Sequence, residues 1–298
     1  MKLGIIGGSG LDQLDSLKNR MEHQLTTPFG KPSDAIIEGT IGDTTVFFLP
    51  RHGRGHTILP AEINHKANIY ALKELGITQI LSLSAVGSLQ ERYAPRDVVV
   101  IDQFYDRTKA GLAHTFFGDG IVAHISFAEP ICPELAALAA KAAKAAVAEL
   151  PAGTPHPAVH TKGTYVNMEG PAFSTAAESR VYHSLGFDII GMTNLGEAKL
   201  AREAEICYSS IAMVTDYDSW HPQNESVTVN MIIENFHANV NLAKQIIVHL
   251  AKEFSALKRG CSCADALRGA IITHPQAVRP EVRKRLDFII GKYLDDSL

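Results

Sequence analysis

The residues with the most chemical potential sit at the ends of apolar runs. Met213-Val214-Thr215-Asp216-Tyr217-Asp218 is an apolar run that delivers two carboxylates two positions apart. An extended chain places such a pair on one side. Neighbouring carboxyls resist ionising together, so one can hold a proton and act as an acid toward a leaving group. The same residues also suit a polar turn or a helix cap. Arg51-His52-Gly53-Arg54-Gly55-His56 follows another apolar run. Arginine offers a planar fork of donors that matches phosphate oxygens, and glycines allow close backbone approach. Histidines four apart could ligate a metal on a helix, but the two glycines oppose a helix and no third ligand stands out; a solvated basic loop is the other alternative. Ser82-Leu83-Ser84-Ala85-Val86-Gly87 and Gly7-Gly8-Ser9-Gly10 complete the set, each offering hydroxyls and N–H groups at a strand end or its turn. Each alone is equally compatible with an ordinary turn. Together, on one rim, they would form an anion cradle beside an acid.

The segments that must position these groups alternate between strand and helix. Leu3 to Ile6, Thr45 to Leu49, Gln79 to Leu83, Val98 to Ile101, Asp188 to Met192 and Ile206 to Val214 are β-branched or continuous apolar runs, suited to strands covered on both faces. Helices are expected over Pro60 to Leu75, Pro133 to Leu150, Thr175 to Leu185, Leu195 to Glu205 and Val229 to Leu257. The last carries Ile232, Phe236, Val240, Ala243, Ile247, Leu250 and Phe254 on one stripe. The expected fold is α/β: a central mixed, mainly parallel sheet flanked by helices, with a C-terminal helical extension. We expect one domain over 1–298, with a core of about 1–257 and a tail at 258–298 that includes a helix from Pro280 to Leu294.

Composition narrows the function classes. The chain has 298 residues, 46% hydrophobic, with 28 Lys and Arg against 32 Asp and Glu. A net charge of -4 argues against a nucleic-acid coat or a membrane-surface protein, so anions must be captured locally. No run approaches the ~18 apolar residues of a membrane span, and no secretory signal is visible. Four cysteines are too few for a secreted disulfide scaffold of this length, which makes a cytoplasmic enzyme the expectation. A dinucleotide-binding module on a Rossmann-like sheet is the rival from another class. Its glycine fingerprint fails, because Gln13 stands where the last glycine belongs.

The motifs also occur together and in order in one family. Ile5 to Asp12, Arg51 to His56, Glu169-Gly170-Pro171-Ala172-Phe173-Ser174, Met192-Thr193 and Thr215 to Asp218 resemble those of the 5'-methylthioadenosine phosphorylases, within the trimeric purine nucleoside phosphorylase superfamily. The likeness runs from Lys2 to about Phe254. It implies phosphorolysis of S-methyl-5'-thioadenosine to adenine and 5-methylthioribose 1-phosphate in methionine and purine salvage, without metal or organic cofactor. A purine nucleoside phosphorylase, an S-methyl-5'-thioinosine phosphorylase and a hydrolase that uses water are the alternatives. By the same resemblance, Ser9, Arg51, His52, Ser84, the Ala85 backbone and Thr193 hold phosphate. Met192 meets the ribose, Phe173 packs on the purine, and Asp216 and Asp218 face its N7 and N6 edge. His56, Val229 and Ile232 wall the methylthio group. His124 reaches a neighbouring subunit's site, implying a homotrimer, with a dimer of trimers as the larger alternative. Two departures stand out. Asn194-Leu195-Gly196-Glu197 lacks a proline that many members carry before the glutamate, and Cys261-Ser262-Cys263 resembles a Cys-x-Cys motif of archaeal-type enzymes that carry disulfides. In a reducing cytoplasm free thiols are expected at least as much, and zinc on these two ligands alone is not, since structural sites need about four.

Overall fold

The computed structural model describes residues 2–8, 11, 13–154, 156–222, 229–255 and 259–294, excepting the side chains of 229–233. Its eleven strands form one sheet. In chain order they are β1 (Lys2–Gly7), β2 (Lys18–His23), β3 (Ile36–Ile41), β4 (Thr44–Pro50), β5 (Gln79–Ser88), β6 (Val98–Val100), β7 (Gln103–Arg107), β8 (Val159–His160), β9 (Thr164–Met168), β10 (Ile189–Gly191) and β11 (Cys207–Tyr217). The main path is β2-β3-β4-β1-β5-β10-β9-β7, with β11 pairing β5 and β6, and β8 pairing β6. Six pairings are parallel and four antiparallel, so the sheet is mixed and mainly parallel, as expected.

The helices are α1 (His65–Glu74), α2 (Pro133–Ala148), α3 (Ala176–Ser184), α4 (Asn194–Glu203), α5 (Val229–Phe254), α6 (Pro280–Arg285) and α7 (Asp287–Leu294). They explain why the inner strands are apolar without alternation. On β11, Ile211 and Met213 enter a core with Ala139 and Ala143 of α2 and Ile247 and Phe254 of α5. The intervening Ala212 and Val214 enter a second core with Ile69 of α1, Leu200 of α4 and Leu286 and Ile290 of the tail. Both faces are dry, which is the condition for continuous apolar strands.

Two expected helices are divided. Pro60–Glu62 is a separate 3-10 turn, and α1 begins after Asn64, whose side chain accepts from the Ala67 N–H at 3.0 Å. An acceptor side chain at a helix start satisfies a donor that no helical carbonyl can reach. The tail helix breaks between α6 and α7 around Leu286, which is fully buried. Five strands, β2, β3, β7, β8 and β9, were absent from the sequence expectation. β2 reads Lys-Asn-Arg-Met-Glu-His and is mostly exposed, so it carries no apolar run to announce it.

Candidate active site

The site opens where β5 changes partners. β5 pairs with β1 as far as Ser82 and with β10 only from Gly87. On that edge neither ladder covers residues 83–86. The gap lies at the carboxyl ends of parallel strands, where open α/β sheets hold ligands. A cavity of about 730 Å³ fills it, within the range of small-molecule sites. Gly8, Arg51, His52, His56, Ser84, Ala85, Phe173, Met192, Thr193, Asp216 and Asp218 all line this one space. The anticipated convergence of strand ends on one rim is therefore present. The Ser84 Oγ is buried there with no hydrogen-bond partner in the protein. Buried hydroxyls are nearly always paired, so an unpaired one on a residue that lines the cavity marks a place for an external acceptor or donor. Thr193 directly precedes α4, and its side chain makes no capping bond. The positive end of that helix dipole thus adjoins the cavity wall.

Arg51 is 2% exposed and is engaged from behind. Its Nε donates to Glu197 Oε1 at 2.5 Å, Nη1 to the Leu83 carbonyl at 3.1 Å, and Nη2 to Ser82 Oγ at 2.5 Å and Glu197 Oε2 at 3.3 Å. Glu197 Oε2 also accepts from Ser82 Oγ at 2.7 Å and the Tyr208 hydroxyl at 2.9 Å. Burial pushes the Glu197 carboxyl up, but the Arg51 guanidinium outweighs it and holds the group below its ordinary value. Arg51 is therefore a locked cation whose fork faces Glu197, and it presents its charge to the cavity rather than a free fork. Sequence patterns found Arg51 but assigned no part in holding it to Glu197, Ser82 or Tyr208. The departure at Gly196 has a steric reason: a Cβ there would meet the His114 ring at 2.7 to 3.1 Å.

The Arg51–His56 segment is a turn, as its glycines require. Gly53, Gly55 and His56 have φ of +69°, +78° and +56°. No helix carries the two histidines; their rings stack at 4.4 Å. His52 Nδ1 donates to the Ile58 carbonyl at 2.8 Å. Burial lowers its pKa to about 4, with Arg51 and His56 adding to the effect. At neutral pH the ring is uncharged, its proton is committed to Ile58, and Nε2 is left as an acceptor.

The two aspartates flank Gly87. A register shift between Val214 and Asp216 turns the end of β11, and Asp216 pairs opposite Gly87. Asp218 Cβ and Asp216 Oδ2 lie 3.4 and 3.7 Å from where a Gly87 Cβ would stand. Burial raises Asp216 to about 6, opposed by the Thr215 hydroxyl and assisted by Asp218. Burial also raises Asp218, and the Ser179 hydroxyl bonded to its Oδ2 opposes that. Asn235 and Asn239 of α5 fasten this strand end, donating to the Thr215 and Val214 carbonyls at 2.9 Å each. Trp220 stacks on His183 and donates to the Ser88 carbonyl at 2.8 Å, which anchors the chain beyond.

The remaining expectations divide. Phe173 stands at the cavity mouth, 82% exposed. Phe236, Val240 and Ala243 of α5 line the cavity, although the sequence reading placed them only on a core stripe. That stripe serves both purposes: its amino-terminal part walls the cavity, and Ile247, Leu250 and Phe254 are buried in the core. Asn239 and Ile190 also line the space with no sequence signal beyond their elements, and Met168 does so from β9, which had none. His124 is exposed and outside this cavity; its N–H donates to the Ala270 carbonyl at 2.9 Å. Ser9 lies outside the described residues, as do the side chains of Val229 and Ile232.

Comparison with known proteins identifies the family. The model of the phosphorylase superfamily matches residues 2–254. The chain is 55% identical to the S-methyl-5'-thioadenosine phosphorylase of Gloeobacter violaceus, over 98% of this chain and 96% of that protein. Among solved structures, a methylthioadenosine phosphorylase from an antarctic soil metagenomic library aligns with a TM-score of 0.90 at 45% identity, covering 96% of this chain and 98% of the other. The methylthioadenosine phosphorylase of Schistosoma mansoni in complex with adenine aligns with a TM-score of 0.82 at 38% identity, covering 91% and 99%. With residues 2–254 matched by the family model and nearly the whole chain matched in sequence and in fold, the chain belongs to the phosphorylase superfamily and, within it, to the S-methyl-5'-thioadenosine phosphorylases.

Proposed function

We infer that the chain cleaves S-methyl-5'-thioadenosine with phosphate, releasing adenine and 5-methylthioribose 1-phosphate, as a pentosyltransferase in methionine and purine salvage. The observation that carries this reading is the pairing, in one cavity, of the unpartnered Ser84 hydroxyl with an aspartate raised to about 6. Ser84 and Gly87 are three strand residues apart, about 10 Å. That span accommodates a phosphate, a reacting carbon and the edge of a base.

In the reaction the N9–C1' bond breaks and a phosphate oxygen bonds to C1'. Positive charge develops on the sugar and negative charge on the base. Preorganised groups aimed at those charges lower the barrier. Ser84, the Ala85 backbone, Thr193, Ser9 and the charge of Arg51 hold the phosphate beneath C1'. Neutral His52 offers Nε2 to the P–OH of a protonated phosphate. The net proton movement is from phosphate to purine, and Asp216 is the group placed to protonate N7. Asp218 accepts from an exocyclic 6-amino group, since a carboxylate has about four acceptor sites and Ser179 takes one. Met192 supports the ribose, Phe173 closes on the base, and His56, Val229 and Ile232 wall the methylthio group. Phosphate is a co-substrate, and the polar groups named supply the charge stabilisation without a cofactor. We further propose a homotrimer, single or doubled, in which exposed His124 completes a neighbour's site, and a cytoplasmic place of action, where the four cysteines stay reduced. No helix among the described residues is long and apolar enough to cross a membrane.

The test is adenine release from S-methyl-5'-thioadenosine with and without phosphate. Release that depends on phosphate is expected; equal release without it would establish a hydrolase instead. S-methyl-5'-thioinosine and adenosine as competing substrates read the roles of Asp218 and of the thioether wall, and a preference for the 6-oxo base would overturn the former.

A further inference from the structure

All four cysteines of the chain meet at one point, away from the cavity. Cys132 directly precedes α2, Cys207 opens β11, and Cys261 and Cys263 lie in the tail. Their Sγ atoms all fall within 4.8 Å of one another. Cys132, Cys207 and Cys263 are buried and Cys261 is partly so. We propose that Cys132, Cys207, Cys261 and Cys263 hold a structural zinc ion that clips the C-terminal extension to the sheet.

Three features favour a shared ion over separate bonds. Zinc–thiolate bonds of about 2.3 Å in a tetrahedron put sulfurs about 3.8 Å apart, a spacing that a four-way cluster of this size meets by small shifts. Two disulfides would instead hold the sulfurs in two pairs about 2.05 Å apart, whereas here all four thiols are free and Cys207 Sγ and Cys261 Sγ stand 3.3 Å apart. Second, the surroundings compensate negative charge. Cys132 stands at the positive end of α2, a helix of 16 residues. Arg259 lies beside Cys207 and Cys261, and its Nε is buried without a hydrogen-bond partner. A guanidinium there offsets the charge of a tetrathiolate zinc centre, a role in which outer residues commonly tune metal sites. Third, the approach of the tail is fixed on both sides of the cluster. The Gly260 N–H donates to both Glu134 carboxylate oxygens at 3.1 Å, and Lys292 pairs with buried Glu205 at 2.6 Å. The sequence alone offers only the Cys-x-Cys pair. The fold supplies the other two ligands from 54 and 129 positions upstream of Cys261.

The ion would act on stability, since none of the four residues lines the cavity. Joining distant segments removes loop entropy from the unfolded chain, and metal binding free energy becomes folding free energy. The experiment uses the full chain purified under reducing conditions with zinc supplied and excess metal removed. Elemental analysis should find one zinc per chain, with all four thiols shielded from a thiol reagent until a chelator and denaturant are added. Replacing zinc by cobalt should give the thiolate charge-transfer band of a tetrahedral sulfur site. Metal removal should lower Tm by about 5 °C or more, given a few degrees per kcal/mol for a chain of this size. Cys261→Ser with Cys263→Ser should lose the zinc and retain phosphorolysis. A substoichiometric trace of zinc with freely reactive thiols overturns the proposal. So does a chain mass short by the hydrogens of two disulfides. Because stoichiometry is read on the unaltered chain, a variant that fails to fold does not rescue the idea.

Discussion

Asp216→Asn should separate catalysis from stability in opposite directions. Burial lifts the Asp216 carboxyl from 3.8 to about 6. The folded chain therefore holds this proton more tightly than the unfolded chain. Stability from that preference is complete below the ordinary value and is lost as pH rises through 6. A lift of that size corresponds to ~3 kcal/mol for a fully buried group, and partial exposure at the rim reduces it to ~1–3 kcal/mol. Asparagine carries no charge to desolvate, so the variant should melt higher than the parent at pH 7.5 and by only about a third of that margin at pH 4.5, just above the ordinary value. Turnover should move the other way. General acids contribute about 10²–10⁴-fold, and the asparagine amide can still donate a hydrogen bond to N7, so a loss on the order of 10² is expected. At pH 7 about one-tenth of Asp216 carries its proton, so the parent's kcat should decline above pH 6. The variant should lack that decline. The assay is adenine release at saturating phosphate from pH 5 to 8.5, beside thermal melts at both pH values. Turnover within about threefold of the parent with the same pH limb would refute the acid role. Equal destabilisation at both pH values would refute the desolvation account.

Three further changes probe the surroundings. Glu197→Gln leaves the buried Arg51 guanidinium without its counter-charge and should cost about 3–5 kcal/mol, read by denaturant unfolding; the KM for phosphate should rise as Arg51 reorients, and an unchanged midpoint would dispose of the pairing. Ser84→Ala removes a hydroxyl with no protein partner, so Tm should hold while the KM for phosphate rises roughly tenfold, the worth of a hydrogen bond to a charged group. A lower Tm with unaltered phosphate kinetics would make Ser84 structural. Gly196→Ala should lower Tm despite the better helix propensity of alanine, because overpacking against His114 costs about 1–3 kcal/mol against ~1 kcal/mol gained. A gain in Tm would mean that the His114 ring yields freely.

The locally encoded features were legible in the sequence. Apolar runs marked β1, β4, β5 and β11 because a strand covered on both faces needs apolar residues at every position. The glycines of the Arg51–His56 turn and the hydroxyl at Ser84 marked the rim because special backbone geometry and exposed donors need particular residue types. Cysteine spacing showed only half of the thiol cluster. The carboxylate that locks Arg51 lies 146 residues away and leaves no local pattern. Edge strands such as β2 were silent, since an exposed strand can be almost any polar sequence and is defined by its partner.

By itself, then, the amino-acid order marked six of the strands and the main helices, though not the core strands β3 and β9, and determined which residues at their ends could carry phosphate or a proton. Only the tertiary structure decided that β5 leaves β1 after Ser82 and meets β10 at Gly87, which opens the cavity between them. It alone decided that Asp216 is buried enough to keep its proton near pH 6, and that Arg51 is spent on Glu197. The physical reason is the same in each case. Residue type and local spacing set backbone preference, whereas desolvation and charge pairing depend on which distant groups the fold brings within a few ångströms.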